Sequence, residues 1–153
     1  LHILETKGVK FNCVLGGDGG IEPNLKRQAK RLKLDIKFSG WITDKQEFFD
    51  DIDIFCLPSY HEPFGIVLLE AFGQALPVVT TDSEGPLEIA THDKTAKIVS
   101  MKDPNKMADA LEDIIANKKA STEMGKNAYK LVKEEYCSKT IGKKITKALK
   151  QIQ

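Results

Sequence analysis

Short apolar segments alternate with amphipathic segments along most of the chain, and this alternation limits the folds that are open to it. The apolar segments are rich in β-forming residues, and glycine or proline follows several of them. They predict strands at residues 9–15, 36–39, 53–57, 77–81 and 96–100. Because they are apolar nearly throughout, they indicate a parallel sheet that is covered on both faces. We therefore predict an α/β fold with a Rossmann-like, doubly wound parallel sheet and C-terminal helices.

Helical spacing fills the segments between these strands and the C-terminal third of the chain. The helices predicted between strands lie near residues 24–34, 44–49, 65–73 and 86–90. Pro104 opens the first of three C-terminal helices, each of which has an apolar stripe. The stripe of the third helix consists of Ile141, Ile145, Ala148, Leu149 and Ile152. This spacing is typical of a helix that packs on a core, so we expect all three stripes to face the interior.

Length and charge favour one folded unit and exclude several classes of partner. The 153 residues, of which 41% are hydrophobic, suffice for one buried core but not for two ordinary domains. The 23 basic and 22 acidic residues give a formal net charge of +1, so no overall field attracts nucleic acid. No apolar run approaches the roughly 20 residues that cross a bilayer, and no signal peptide is recognisable. These features predict a cytoplasmic location without nucleic-acid binding.

The cysteines and histidines form no recognisable metal or disulfide pattern. Cys13, Cys56 and Cys137 are odd in number and widely separated, which predicts free thiols in a reducing compartment. We expect the first two to be buried in strands. The three histidines have no ligand spacing with each other or with cysteine. We therefore predict neither a metal site nor a cofactor.

The residues between the third and fourth predicted strands carry the strongest functional signal. Residues 61–70 read His-Glu-Pro-Phe-Gly-Ile-Val-Leu-Leu-Glu. This order places Glu62 in a loop, Gly65 at the start of a helix and Glu70 on the second turn of that helix. In open parallel sheets, ligands bind at the carboxyl ends of the strands. Both glutamates are therefore predicted to lie at the ligand-binding edge.

The start of this helix is suited to a phosphate group. The N–H groups of Gly65, Ile66 and Val67 would lack intrahelical partners and carry the positive end of the helix dipole. Glu70 lies five residues beyond Gly65, roughly 7.5 Å along the axis at about 1.5 Å per residue. That distance suits the reach from a phosphate to a nucleoside ribose. Glu62, outside the helix, would face a sugar on the other side of the phosphate.

Together with the Ala-Phe-Gly-Gln-Ala-Leu-Pro-Val-Val that follows, residues 61–70 closely resemble the signature of the family 4 retaining glycosyltransferases of the GT-B fold. In that signature, two glutamates flank seven residues. Further segments match in the family's order, namely residues 14–19, 38–42, 53–59 and 103–104. The resemblance implies a retaining hexosyltransferase that moves a sugar from a nucleotide diphosphate sugar, of UDP or GDP type, to an acceptor.

The resemblance also implies a role for each matching residue. Glu70 is implied to hold the ribose, and Glu62, the residue assigned to catalysis, to contact and orient the donor sugar. The residues implied to surround the sugar–phosphate link are Phe64, Gly65, Ile66 and Val67. The residues implied to meet the base, largely through backbone groups, are Gly40, Trp41 and Ile42. Packing of Trp41 in the core is an equal alternative, and His61, beside the motif, is a weaker candidate for ligand contact.

Two parts of the family pattern are missing from the sequence. Members carry an Arg and a Lys that grip the diphosphate, on a segment preceding the helix at which this chain begins, and an N-terminal domain that holds the acceptor. The chain starts at Leu1, and residues 1–8 read as the end of a helix closed by Gly8. We therefore expect residues 1–153 to be a single nucleotide-sugar-binding domain of a longer chain. It would lack the N-terminal acceptor domain and the first part of its own domain, and would be inactive alone.

Several alternatives stay open at this point. The intact protein could be another GT-B enzyme, such as a sugar-nucleotide epimerase or a phosphorylase, or a non-catalytic α/β binding module. Residues 83–88 are predicted to border the same edge, where their acids are either site residues or helix caps. By analogy with similar enzymes, we expect polysaccharide or lipopolysaccharide biosynthesis and peripheral association of the full-length enzyme with the inner face of the membrane.

Overall fold

The structure, a computed structural model, describes residues 1–151, and among these residues it has five short strands and eight α-helices. The strands are Cys13–Gly16 (β1), Ile36–Gly40 (β2), Phe55–Leu57 (β3), Val78–Thr81 (β4) and Lys97–Val99 (β5). The helices are His2–Thr6 (α1), Glu22–Arg31 (α2), Lys45–Asp50 (α3), Ile66–Gly73 (α4), Glu84–Ile89 (α5), Pro104–Ala116 (α6), Lys118–Leu131 (α7) and Ser138–Lys150 (α8). A π-helical turn, Val132–Tyr136, separates the last two helices.

The chain divides into two compact units, of which the first is Leu1–Asp51. In this unit β1 and β2 pair in parallel, with Cys13 opposite Ile36. Helix α1 ends at Thr6 with Lys7 as its C-cap, and the φ of +76° at the following Gly8 fits the predicted glycine cap.

The second unit begins at Ile52 and contains a parallel sheet in the order β3-β4-β5. Phe55 lies opposite Val78, and Val79 lies opposite Lys97. A helix connects each strand to the next, as parallel pairing requires. Because both sheets are parallel and helices alternate with strands, the predicted α/β class is confirmed.

The middle strand β4 lies in the core of the second unit, where each of its four residues is buried. Val79 and Val99 pack with Ile114 of α6 and Met124 of α7, so these two helices cover one side of the sheet. The burial of Ile114 and Met124 confirms that the first two C-terminal stripes face the core. Each such side chain contributes about 1.5–3 kcal/mol when it is fully removed from water.

The prediction that the third C-terminal stripe faces the core is wrong for the described residues. No residue of α8 is buried, and Ile145 and Leu149 are 55% and 61% exposed. Ile152 lies outside the described residues. The apolar spacing did predict a helix with one apolar side, but spacing alone does not determine which surface covers that side.

Two local predictions also need correction. The first strand starts at Cys13 rather than at residue 9, because the N–H of Val9 donates to the carbonyl of Leu4 and so belongs to the turn that ends α1. Cys13 and Cys56 are half-buried free thiols rather than fully buried ones. Partial burial raises the pKa of Cys13, so its thiol stays protonated near neutral pH. Over residues 1–151, the structure has no helix with the length and apolarity needed to span a membrane.

Candidate functional site

The N-terminus of α4 has part of the open geometry that its sequence predicts: the N–H groups of Ile66 and Val67 precede the first intrahelical bond, whereas that of Gly65 donates to the carboxylate of Glu62. Gly65 is the N-cap residue, with φ +88° and ψ +48°, a left-handed conformation that favours glycine. The first N–H that bonds back inside the helix is that of Leu68, which donates to the carbonyl of Gly65 over 3.0 Å. The amides of Ile66 and Val67 therefore precede the first intrahelical bond and stand at the positive end of the helix.

Glu62 lies at this same end of α4. Its Oε1 accepts a hydrogen bond of 3.0 Å from the N–H of Gly65, and the side chain is half-buried. The bond fixes the orientation of the carboxylate. Because an ionised carboxylate can accept about four hydrogen bonds, one bond to Gly65 leaves capacity for the hydroxyls of a ligand.

Glu70 is the one charged residue of α4, whose other residues are apolar or glycine. Leu68, Ala71 and Phe72 of the same helix are inaccessible to solvent. Glu70 itself is half-buried. A carboxylate at a half-buried position of an otherwise apolar helix requires polar partners.

Several apolar side chains of α4, of the residue before its N-cap and of α5 are exposed. Phe64 and Ile66 are exposed, as is Leu87 of α5, whereas Val67 is half-buried. Phe64 directly precedes the N-cap residue Gly65 in the chain. Such exposed side chains provide apolar surface for the rings of a bound molecule.

Helix α5 holds the loop that carries Glu62. The N–H of Gly85 donates to the carbonyl of Glu62 over 2.8 Å. Gly85 also lies against the backbone of Phe64, where an added Cβ would come within 2.3 Å of both the carbonyl carbon and oxygen. The loop and the start of α5 therefore pack backbone against backbone.

A side-chain contact joins the same two segments. Nδ1 of His61 lies 3.0 Å from Oε1 of Glu84. Two hydrogen bonds lower the pKa of Glu84. The larger effect comes from the bond that its carboxylate accepts from the Glu84 backbone N–H, and the next from the bond with His61. The sequence is compatible with two roles for the acids of residues 83–88, as site residues or as helix caps. The sequence signal for a close approach of two backbone segments was the Gly-Pro pair that directly follows Glu84, shortly after the end of a predicted strand.

The other end of the loop is attached to β4. The hydroxyl of Thr81 donates to the carbonyl of Ser59 over 2.5 Å, and Ser83 Oγ lies 3.3 Å from Thr81 Oγ1. Both Thr81 and Ser83 are buried. Within the second unit, the loop of residues 59–65 is therefore bonded to β4 near its start and to α5 at Glu62.

The turn predicted to meet a base lies in the first unit, whereas Glu62 and Glu70 lie in the second. Gly40 has a φ of +64°, and its carbonyl accepts from the N–H of Gly17 over 2.7 Å. Trp41 is 72% exposed, so the alternative that it packs in the core is wrong. Between residues 1 and 151, no three His, Cys, Asp or Glu side chains come together as a metal site.

Comparison with known families decides the relationship. The sequence profile of "Glycosyl transferases group 1" matches residues 1–131. The chain belongs to the glycosyl transferases group 1 family. Among curated relatives, the lipopolysaccharide core biosynthesis glycosyltransferase LpsE of Rhizobium meliloti is 32% identical over 127 residues, which are 82% of this chain and 37% of LpsE.

Solved structures of glycosyltransferases have the same architecture. HepE of Anabaena in complex with UDP superimposes with a TM-score of 0.86 at 24% identity, over 92% of this chain and 41% of HepE. The C-terminal domain of LpcC, a group 1 protein from Francisella tularensis, has a TM-score of 0.69 and 29% identity over 77% of this chain and 63% of that domain. The chain therefore has the fold of a GT-B glycosyltransferase domain. It spans only about two-fifths of the length of LpsE or HepE.

Proposed function

We propose that this chain is the C-terminal, donor-binding part of a retaining glycosyltransferase. The intact enzyme transfers a hexose from a nucleotide diphosphate sugar to an acceptor. The observation that carries this proposal is the single helix end at which the Glu62 carboxylate and the open amides of α4 meet, with Glu70 on the same helix. The relationship to group 1 glycosyltransferases supports it.

In this proposal the diphosphate lies at the N-terminus of α4. The amides of Ile66 and Val67 donate to its oxygens, and the φ of +88° at Gly65 shapes the approach. A helix terminus contributes about 0.3–2 kcal/mol toward an anion, which is too little for a diphosphate that gains charge as the glycosidic bond breaks. In the family pattern, an Arg and a Lys supply the further positive charge that the diphosphate needs.

Glu62 and Glu70 recognise hydroxyls on opposite sides of the diphosphate. Glu62, oriented by Gly65, accepts from the donor sugar and positions it; we do not assign it the role of nucleophile. Glu70 accepts from the ribose hydroxyls. Phe64 forms the wall beside the sugar–phosphate link.

The relatives narrow the chemistry that we propose for the intact enzyme. HepE was solved in complexes with UDP and with UDP-glucose, which favours a UDP-type donor over a GDP-type donor. LpsE acts in lipopolysaccharide core biosynthesis, which favours an envelope polysaccharide or lipopolysaccharide acceptor. We further propose that the N-terminal part of the intact chain holds this acceptor, that the full-length enzyme associates peripherally with the inner face of the membrane, and that residues 1–153 alone are inactive.

Calorimetric titration of the full-length protein with UDP and GDP tests the ribose assignment. We expect Glu70→Ala to weaken binding of the preferred nucleotide about ten- to a hundredfold, because hydrogen bonds to a charged group contribute about 1.5–3 kcal/mol. The 2′-deoxynucleotide should bind wild-type protein more weakly than the ribonucleotide does, but should differ little from it in Glu70→Ala. Glu123→Ala, the same change at an exposed position of α7, is the matched control.

Undiminished affinity in Glu70→Ala would remove Glu70 from the ribose role. Glu70→Gln, which keeps the shape of the side chain, checks that any loss reflects the carboxylate rather than the fold. Product analysis then tests the reaction class. Release of an epimerised nucleotide sugar, or phosphate-dependent release of a sugar phosphate, would contradict glycosyl transfer.

A further inference from the structure

We propose that Glu84 is a positioning residue for the donor sugar, which acts through His61 on the loop that carries Glu62. This inference rests on the proposed function, in which Glu62 contacts the donor sugar. The Glu84 carboxylate contacts the side chain of His61 and, with a smaller effect on its pKa, the backbone of Glu62, but not the carboxylate of Glu62. Its role is to hold the sugar-facing loop in the bound geometry.

Helix α5 contacts this loop at three of the four positions from His61 to Phe64. The Glu84 carboxylate contacts His61, the N–H of Gly85 donates to the carbonyl of Glu62, and Gly85 lies against the backbone of Phe64. The two contacts of Gly85 use backbone atoms only. The His61–Glu84 contact joins two side chains, so substitution can remove it without a steric clash.

Loss of the His61–Glu84 contact should affect the sugar end of the donor. Glu62 lies directly after His61, so its backbone moves with the loop and displaces the carboxylate from its bonded position at Gly65. Glu70 lies on α4, which is fixed by the buried side chains of Leu68 and Phe72. Loosening the loop should therefore weaken contacts to the sugar while contacts to the ribose persist.

The His61–Glu84 contact should position the loop without adding much to the global stability of the protein. Carboxylates are common in the first turn of a helix, and Glu84 also receives a bond from its own backbone N–H there. However, the side chains of His61 and Glu84 are 73% and 60% exposed. Exposed ion pairs contribute little to global stability, so removing this one should leave the protein folded. An effect on donor binding would then be local.

The test compares nucleoside diphosphate with nucleotide sugar in the full-length protein. UDP-glucose, UDP-N-acetylglucosamine and GDP-mannose are titrated first, and the tightest-binding of them is used with its own nucleoside diphosphate. We expect Glu84→Ala to bind the diphosphate within twofold of wild type but the nucleotide sugar about three- to tenfold more weakly. Glu84→Gln, whose amide oxygen can still accept from the imidazole, should recover at least half of the loss.

A double-mutant cycle shows whether Glu84 acts through His61. We expect His61→Ala to weaken nucleotide-sugar binding as Glu84→Ala does, and the double variant to be no weaker than either single one. Additive losses would overturn the inference, as would equal losses for diphosphate and nucleotide sugar, or unchanged binding in Glu84→Ala. If wild-type protein binds none of these nucleotides, the proposed function itself fails, which is a distinct result.

Discussion

Gly65 and Gly85 both stand at positions that exclude a side chain, but for different reasons. Gly65 adopts a φ of +88°, and its place at the start of a helix in the two-glutamate motif made this residue predictable from sequence. Gly85 is required because the backbone of Phe64 occupies the space of its Cβ. That contact joins segments that are distant in sequence, so no local pattern specifies it.

Gly85→Ala should therefore destabilise the protein by about 1–3 kcal/mol, the usual cost of forcing an extra methyl into packed surroundings. The 61–65 loop would have to move away from α5, so nucleotide-sugar affinity should fall as well. Urea unfolding followed by circular dichroism measures the first effect. Gly73→Ala is the control, because nothing lies within 4 Å of a Cβ at that position. Equal unfolding midpoints for the wild-type protein and Gly85→Ala would contradict the argument.

Among the elements, α7 approaches the turn between α4 and β4 through a glycine. A Cβ on Gly125 would come 2.0 Å from the carbonyl oxygen of Ala75, which itself has a φ of +56°. Glycine inside a helix costs about 1 kcal/mol relative to alanine. The chain carries this cost where α7 must lie close to the end of the helix that bears Glu70.

Gly125→Ala should lower the free energy of unfolding by about 1–3 kcal/mol, because the clash with the Ala75 backbone outweighs the gain in helix propensity. Gly142→Ala, in the middle of α8 with open space around it, should raise the same quantity by up to about 1 kcal/mol. Denaturant unfolding of the two variants beside the wild-type protein measures both. A stabilised Gly125→Ala would show that the turn can yield.

Sequence patterns predicted those elements whose signals are local. The strands near residues 36, 55 and 78 and the helix after Gly65 lie within a few positions of their predicted bounds. The start of β1 was missed because Val9 bonds to Leu4. The exposure of the apolar stripe of α8 was not predicted, because the spacing of apolar residues does not show whether another part of the protein packs against them. In the site, Gly65 and the positions of both glutamates were predictable, whereas the contact of His61 with Glu84 depends on tertiary packing.

For the molecule as a whole, Lys97 links three parts of the second unit. Its Nζ lies 2.7 Å from Oδ1 of Asp93 and 2.7 Å from Oδ2 of Asp113, so it joins β5 to α6 and to the turn before β5. Hydrogen bonds with Asp113 and then Asp93 raise the pKa of Lys97. The hydrogen bond with Lys97 lowers the pKa of both aspartates.

These shifts predict how global stability depends on pH. The aspartates keep their charge to lower pH in the folded than in the unfolded protein, so their contribution is present above about pH 4 and is lost as the pH falls through their folded pKa. The contribution of Lys97 is complete below about pH 10.4 and is lost as the pH rises through its elevated pKa. Lys97→Met should thus cost about 0.2–1 kcal/mol at pH 7, and less at pH 2.5.

Urea unfolding at pH 7 and pH 2.5 measures this difference for Lys97→Met and for Lys94→Met, an exposed neighbour that serves as the control. We expect the Lys94 variant to match the wild-type protein at both values. A cost for Lys97→Met that is unchanged at pH 2.5 would mean that packing of the lysine stem, rather than its ion pairs, is responsible.

The loop that carries Glu62 is attached through main-chain carbonyls, those of Ser59 and Glu62. Neither of these two attachments uses the side chains of Tyr60 or Phe64, and both side chains are exposed. Replacing Tyr60 or Phe64 should therefore change the surface of the loop without re-routing the polypeptide. Proteins with this scaffold can therefore differ in the side chains of the loop while they keep the same backbone.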